Sequence, residues 1–376
     1  METLQISPSV LRWAADQRGL SLDALMDLLG TPSKQDDFLA GKLSMAQTEK
    51  LSQKTHIPFG YFFLDTPPDI PPYTIPDLRQ TINPEPLSTD FIEVLDDVCR
   101  KQQWYLEYLQ EQGEQQLDFV GKYSFNANLP AEQIAADIKH TLGLGDQERK
   151  QCKNYAEFFT LLSEKAENVG ILVFKNSIVK SNTRRSLSVT EFRGFAIANP
   201  LAPLIFINGK DSEAAWIFTL AHELAHIWLG ESGVSDILTQ QKKNDDGLEA
   251  YCNRIAAELL TPKAQFLDAW EQIETPRFGT LSKIFKVSQL VIARRGLDLG
   301  KIDWSSYQDV AQASHKTKTA GGGDAYHSYP LRNSKRLTRA LVATAMSGGI
   351  MLREAASLLN VRTDTVMELS KRLDIR

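Results

Sequence analysis

The sequence predicts an α+β protein that is mostly helical and is built from more than one domain. Most of the 376 residues lie in stretches whose apolar side chains recur at helical spacing. Two short β-rich runs, ILVFKN (171–176) and PLIFING (203–209), stand near the middle of the chain, with FRGFAIANP (192–200) between them. A proline-rich segment, 65–86, separates a group of short N-terminal helices from the rest.

The composition is that of a globular protein with real cores. The chain is 42% hydrophobic and 24% charged, and its formal net charge of −5 does not indicate a nucleic-acid binder overall. Its three cysteines, Cys99, Cys152 and Cys252, are too far apart for a disulfide framework or an all-cysteine metal site. No apolar stretch is long enough to span a bilayer. We therefore expect a cytoplasmic protein with no membrane partner.

The first predicted domain, 1–66, holds several short helices broken by glycine and proline, and Ser21 is the expected N-cap of the second helix. So many short helices in so small a space resemble an Xre-type helix-turn-helix module. The alternative is a small helical bundle with no nucleic-acid role. The segment holds two more acidic than basic residues, and Asp36 and Asp37 fall where a recognition helix would begin. That charge opposes contact with phosphate.

The remaining boundaries follow from changes in composition. Residues 67–86 are predicted to be a proline-rich, semi-rigid linker. Residues 87–310 are predicted to hold a helical connector, the β-rich runs and the helices that follow them. Residues 311–376 begin with a glycine-rich loop, HKTKTAGGGDAYHSYP, and continue as a helical C-terminal domain.

A metal-binding motif stands past the midpoint, in FTLAHELAHIWLG (218–230). On a helix, His222 and His226 are four residues apart and project from one face. Two neutral imidazoles are costly to bury together unless a partner satisfies them, and Zn²⁺ is the natural partner. Glu223 is placed to take a proton from a water that the metal activates. The alternative is a core helix that carries two histidines by chance.

A third ligand decides between these interpretations. The metzincin pattern needs glycine and histidine where this chain has Leu229 and Ser232, so that class is excluded. The later helix LEAYCNRIAAELLTP offers Glu249 as third ligand, with Asn253 on the same face as a hydrogen-bond partner of a ligand. Glu258 lies off that face, and we expect it to be solvated.

The stretches WIFTLAHELAHIWLG and EAYCNRIAAELLTP together resemble the ImmA/IrrE family of metallopeptidases. The departures from the family pattern are mild and leave the ligand positions intact: Cys252, Ile255 and Thr261. The resemblance implies a small gluzincin-like core with a short sheet and a zinc ion on His222, His226 and Glu249, with Glu223 as base. It also extends to the N-terminal module and the C-terminal region of long members, which are often encoded beside a small toxin.

Two weaker candidates lie in the C-terminal region. His327 and Tyr326, in the glycine-rich loop, could steady an oxyanion if that loop approached the metal, although a solvated loop is the favoured explanation. A basic cluster begins the helix that follows and could contact nucleic acid or an acidic partner, or form a solvated face. Its members are Arg332, Lys335, Arg336 and Arg339.

Two functions are compatible with these features. The first is an antitoxin-like regulator with a metallopeptidase fold, which binds and neutralises a partner toxin and regulates its own transcription at operator DNA. The second is an active zinc-dependent endopeptidase that cleaves a repressor or another regulatory protein. The preference for the first comes from the family resemblance, because the residue chemistry fits both.

Overall fold

The computed structural model describes residues 3–16, 20–27, 29, 35–55, 57, 59–68, 87–235, 247–274, 277–314 and 330–375. The chain divides into two compact units. One comprises Met1–Thr74 with Pro86–Glu93, and the other comprises Ile75–Glu85 with Val94–Arg376. The predicted linker, 67–86, lies almost entirely outside the described residues.

The first unit is a small helical domain with one two-stranded sheet. Its apolar side chains, among them Leu11, Phe38 and Phe62, form a single core. Ser21 caps the second helix as predicted, because its Oγ accepts from the Ala24 backbone N–H at 3.1 Å. The elements are β1 (Thr3–Gln5), α1 (Pro8–Asp16), α2 (Leu22–Asp27), α3 (Gln35–Leu39), β2 (Lys42–Ser44), α4 (Met45–Thr55) and a 3₁₀ turn at Phe59–Phe63.

The antiparallel pairing of β1 with β2 was not predicted. Each strand has only three residues, which is too short for a period-two pattern to be visible in the sequence.

The second unit contains a four-stranded mixed sheet and most of the helices. Its first elements are α5 (Thr89–Glu111, of which Val94 onwards belongs to this unit), α6 (Ala131–Thr141), α7 (Asp146–Gln151) and α8 (Tyr155–Asn168). The strands and the helix between them are β3 (Leu172–Asn176), β4 (Ile178–Val179), β5 (Asn182–Ser186), β6 (Gly194–Ile197), β7 (Leu204–Asn208), α9 (Glu213–Leu229) and β8 (Gly233–Ser235). The later helices are α10 (Leu248–Leu260), α11 (Lys263–Gln272), α12 (Arg277–Phe285), α13 (Gln289–Asp298), α14 (Trp304–Ser314), α15 (Lys335–Met346), α16 (Leu352–Leu359) and α17 (Thr363–Arg372).

The sheet has the strand order β3-β7-β6-β8. β3 runs parallel to β7, and the other neighbours are antiparallel. The two predicted β-rich runs thus form β3 and β7, and the segment between them, 192–200, contains β6. The buried helix α9 packs against β6 and β7 and also against α6, α8 and α10. Arg184 and Arg185 lie in β5, and Arg185 is buried.

Buried polar groups hold the C-terminal helices against the rest of this unit. The Glu167 carboxylate, near the end of α8, accepts from Ser334 Oγ at 2.5 Å and from the Lys335 backbone N–H at 2.9 Å. Lys101 on α5 donates to Asp97 Oδ2 at 2.5 Å and to Asn333 Oδ1 at 2.8 Å. These side chains are buried, so the contacts fix the position of α15 strongly.

The turn between α16 and α17 is held in the same way. The Asn360 side-chain amide donates to both Asp97 oxygens, and its backbone carbonyl accepts from Ser181 Oγ at 2.6 Å. Among the described residues, none of the helices combines the length and the apolar character that a bilayer-spanning segment requires.

Candidate metal centre

The helix α9 places both histidines of the motif inside the protein. Ser212 caps its first turn by accepting from the Ala215 backbone N–H at 3.3 Å. Gly230 ends it in the left-handed conformation, with φ of +70°, which glycine adopts without strain. Its eleven last residues, 219–229, are all buried, so the two imidazoles have no access to bulk water.

Three side chains converge on one point. His222 Nε2 lies 3.1 Å from His226 Nε2 and 3.1 Å from Glu249 Oε2, and His226 Nε2 lies 3.1 Å from Glu249 Oε1. Tetrahedral ligands at ordinary zinc distances are separated by about 3.3 Å. The three groups therefore match, in type and spacing, three corners of a tetrahedral metal site.

The orientation of His222 is set by Asn253. His222 Nδ1 lies 2.9 Å from Asn253 Oδ1, which is one turn along α10 from Glu249. Because the amide oxygen can only accept, Nδ1 carries the proton and Nε2 presents its lone pair to the other two ligands. This is the hydrogen bond that commonly fixes a metal-binding histidine.

The electrostatics of Glu249 and His226 fit a cation, and the negative charge of Glu249 also attracts a proton to His222. Although burial favours the neutral carboxyl, the two histidines lower the pKa of Glu249 to about 2, so it is ionised. Burial lowers the pKa of His226, which keeps that imidazole neutral and able to donate a lone pair. Burial also opposes protonation of His222, but Glu249 outweighs it and raises the pKa of His222.

Glu223 is fully buried beside the sheet. A Cβ atom built on Gly194 of β6 would lie 3.0 Å from Glu223 Oε1 and 2.6 Å from Thr219 Cγ2. Any side chain at position 194 would therefore displace the glutamate or its neighbour. Sequence reasoning did not identify Gly194, although a glycine within a strand often marks such a close approach.

The prediction for Glu258 was wrong. Its carboxylate is mostly buried and forms an ion pair with Arg295 of α13. Arg295 also donates to the Thr261 carbonyl at 3.1 Å, and Arg149 donates to the Leu260 carbonyl at 2.7 Å. Two guanidinium groups thus satisfy the last carbonyls of α10 and stabilise its negative end. The pair joins residues 37 positions apart, which a local reading of α10 could not reveal.

The other candidate residues are not brought to this centre by the described structure. His327 and Tyr326 lie outside the described residues. In the basic cluster, Lys335 Nζ pairs with Glu164 Oε1 at 2.7 Å, and Arg336 Nε donates to the Tyr105 hydroxyl at 2.6 Å. Arg332 is half-buried and Arg339 is exposed.

The fold and the cluster together define a helical domain with a small mixed sheet and a buried His-His-Glu group that could hold a metal ion. Residues 166–296, which contain all four motif residues, match the family model described as the IrrE N-terminal-like domain of Peptidase_M78. This part of the chain is therefore similar to the metallopeptidase domain of the ImmA/IrrE family.

Residues 333–372 match a second family model, which is described as a domain of unknown function, DUF8813. No curated protein matches the chain.

Proposed function

We propose that the chain is a cytoplasmic, zinc-binding regulator with a metallopeptidase fold, which acts as the antitoxin of a toxin–antitoxin module. The observation that carries the zinc proposal is the convergence of His222, His226 and Glu249 within hydrogen-bond distance of one another in a buried site. A bound cation would stabilise these lone pairs and this negative charge far better than the three side chains can stabilise one another.

The chemistry available at such a site is peptide hydrolysis. Bound zinc supplies Lewis acidity, which polarises a carbonyl and makes a nearby water more acidic. Glu223 would accept the proton of the attacking water and pass it to the leaving amine. Asn253 would hold His222 in the binding tautomer, and Gly194 would leave room for the glutamate.

The burial of the site favours a regulator over a free-standing protease. His222, Glu223 and His226 expose no surface, and Glu249 exposes only 5% of its surface. Side chains that expose so little surface are poorly placed to meet a peptide from bulk solvent, whereas binding to a partner through other surfaces does not depend on their exposure. The toxin as partner, and control of the module's own transcription, follow from the resemblance to long ImmA/IrrE proteins.

The metal proposal is tested by elemental analysis of the purified full chain. We expect about one zinc per chain, and loss of that zinc in His222→Ala and Glu249→Ala. His140→Ala is the matched control, because His140 is an exposed histidine of α6 and should leave the zinc content unchanged. A wild-type chain that holds no zinc after purification without chelators would contradict the metal proposal.

The second candidate, an active endopeptidase that cleaves a regulatory protein, is favoured by the position of Glu223 next to a metal ligand. Glu223→Gln separates the two, provided that zinc is retained. Survival of partner neutralisation in this variant supports the antitoxin, whereas its loss, together with loss of a cleavage product, supports the endopeptidase. The partner is sought first by co-purification with the product of the neighbouring gene. If that product neither co-purifies nor is neutralised, the antitoxin proposal fails.

A further inference from the structure

The last two helices have the connection of a helix-turn-helix. α16 ends at Leu359 and is capped by Asn360, which adopts the left-handed conformation (φ 54°, ψ 43°) and donates its backbone N–H to the carbonyls of Ala356 and Ser357. Only Asn360, Val361 and Arg362 separate α16 from α17. Ala356 of α16 and Val366 of α17 are buried, and α15 packs against both helices. A three-residue turn between two packed helices is the arrangement that presents a recognition helix to DNA.

The outer face of α17 is open. Thr363, Asp364, Met367 and Lys371 are all exposed, and their spacing places them on one side of the helix. The opposite side is closed, because Val366, Leu369 and Ser370 are buried. This face therefore offers hydroxyl, carboxylate, thioether and ammonium groups in a row, which is a set that can read base edges.

A second pair of helices in the chain has the same three-residue connection but is not suited to bind DNA. α12 and α13 are also joined by three residues, and Lys286 begins that turn with φ of +55°. There, however, Ile292, Ala293, Arg295 and Gly296 of the second helix are buried, and α14 packs on α13. α13 has little free surface with which to enter a groove, whereas α17 keeps its outer face.

The charge of the region fits a polyanion. Residues 335–375 contain seven lysines and arginines against four acidic residues, in a chain whose net charge is −5. Arg353, in the first turn of α16, and Arg362, at the start of α17, are exposed. Neither makes an ion pair or a side-chain hydrogen bond with a described residue. Basic side chains at these two helix starts are placed to contact phosphates on either side of a groove.

From the turn, the open face and the charge, we propose that α16 and α17 bind duplex DNA, with α17 in the major groove. The basic residues that serve this surface are Arg353, Arg362 and Lys371. Lys335 and Arg336 of the predicted basic cluster are instead held by Glu164 and Tyr105. The anchoring of Asn360 to α5 leaves the DNA-facing side free. This proposal does not depend on the metal site.

The test is the fluorescence anisotropy of a labelled duplex of mixed sequence with the full-length chain at low and rising salt. We expect binding at low salt, and a loss of about tenfold or more in affinity for the double variant Arg353→Glu/Arg362→Glu. The slope of log affinity against log salt should become shallower by about 2, because about two phosphate contacts are lost. Circular dichroism of each variant checks that its helices remain.

Two matched variants carry the same change in charge elsewhere. Lys153→Glu/Lys210→Glu alters exposed lysines of the metallopeptidase-like unit, and Lys42→Glu/Lys54→Glu alters exposed lysines of the first unit. Both should bind like the wild type. The proposal is overturned if the wild type does not bind duplex DNA at low salt, or if only the first-unit variant loses affinity. Preferential binding of single-stranded RNA of the same sequence would overturn it as well.

If the double variant does not fold, a second measurement keeps the proposal testable. Duplexes selected from a random library by the wild type should share a short consensus, and Lys371→Ala should change it at one or two positions. An unchanged consensus would show that α17 does not read the bases, and the proposed groove contact would be wrong.

Discussion

Replacement of Asn253 tests whether the hydrogen bond to His222 serves metal binding. In Asn253→Leu the side chain keeps nearly its size but loses the oxygen that lies 2.9 Å from His222 Nδ1. His222 is fully buried, so water cannot readily replace that acceptor. A buried donor left without an acceptor costs about 1–3 kcal/mol. Loss of such a partner commonly weakens metal binding about 10- to 100-fold.

The two estimates agree, because a 10- to 100-fold loss corresponds to about 1.4–2.8 kcal/mol. Asn253→Asp is the matched variant, since it restores an acceptor of the same reach and should keep affinity within about threefold of the wild type. Zinc affinity is measured by competition with a chromophoric chelator at neutral pH. Equal dissociation constants for the Leu and Asp variants would refute the reasoning, because they differ chiefly in the acceptor.

Three further predictions concern the unit that carries this site. Asp97→Ala should reduce the free energy of unfolding in urea by about 3 kcal/mol, because Lys101 would stay buried without its carboxylate; Asp97→Leu combined with Lys101→Met should lose clearly less. Gly230→Ala should lower the melting temperature more than Gly113→Ala does: both glycines have φ near +70°, but a Cβ at Gly230 would lie 2.9 Å from the Gly121 Cα, whereas one at Gly113 meets open space. Burial raises the pKa of Glu167 in the folded chain above its ordinary value of 4.5, so its contribution is present below pH 4.5 and is lost as pH rises through the folded pKa. Between pH 4.5 and the folded pKa of Glu167, the free energy of unfolding of Glu167→Gln should therefore rise relative to that of the wild type. A difference between the two that does not change with pH would contradict this prediction.

Much of the metal centre could be predicted because its determinants are local. The spacing of His222 and His226 fixes their common face on any helix, and Glu249 and Asn253 share a face of a second helix for the same reason. Only the packing of α10 on α9 had to be assumed, and the alanines of α10 made that packing plausible. Local composition likewise indicated β3 and β7, from the two β-rich runs, with β6 in the segment between them.

What could not be predicted depends on contacts between distant positions. Glu258 was expected to be solvated because nothing within α10 opposes it, whereas its partner, Arg295, lies three helices later. Gly194 carries no pattern that links it to Glu223, since their proximity arises when the sheet packs on α9. The polar contacts of Asp97 and Glu167 with the C-terminal helices span more than 160 residues.

The basic cluster shows why a count of charges does not locate a binding surface. The sequence places Lys335 and Arg336 together at a helix start, and that is where a partner contact was expected. In the structure they hold α15 to α5 and α8, so their charge is used inside the chain. Arg353 and Arg362 are far apart in sequence from that cluster and formed no visible group, yet both are exposed. A surface for an anion is defined by which charges remain unneutralised after folding, and this requires the tertiary structure.

The two proposed sites differ in the burial of their polar groups, and this difference allows experiments to separate them. At the metal centre, His222, His226 and Glu249 are buried and converge, so only a small cation can complete them. At α17 the polar groups are exposed and lie in a row, so a large, hydrated surface can meet them. Removal of zinc should therefore affect the metal centre and leave DNA binding by α17 unchanged. Added salt should weaken DNA binding by α17 and have little effect on the metal centre, because screening weakens interactions of exposed charges far more than those of buried ones.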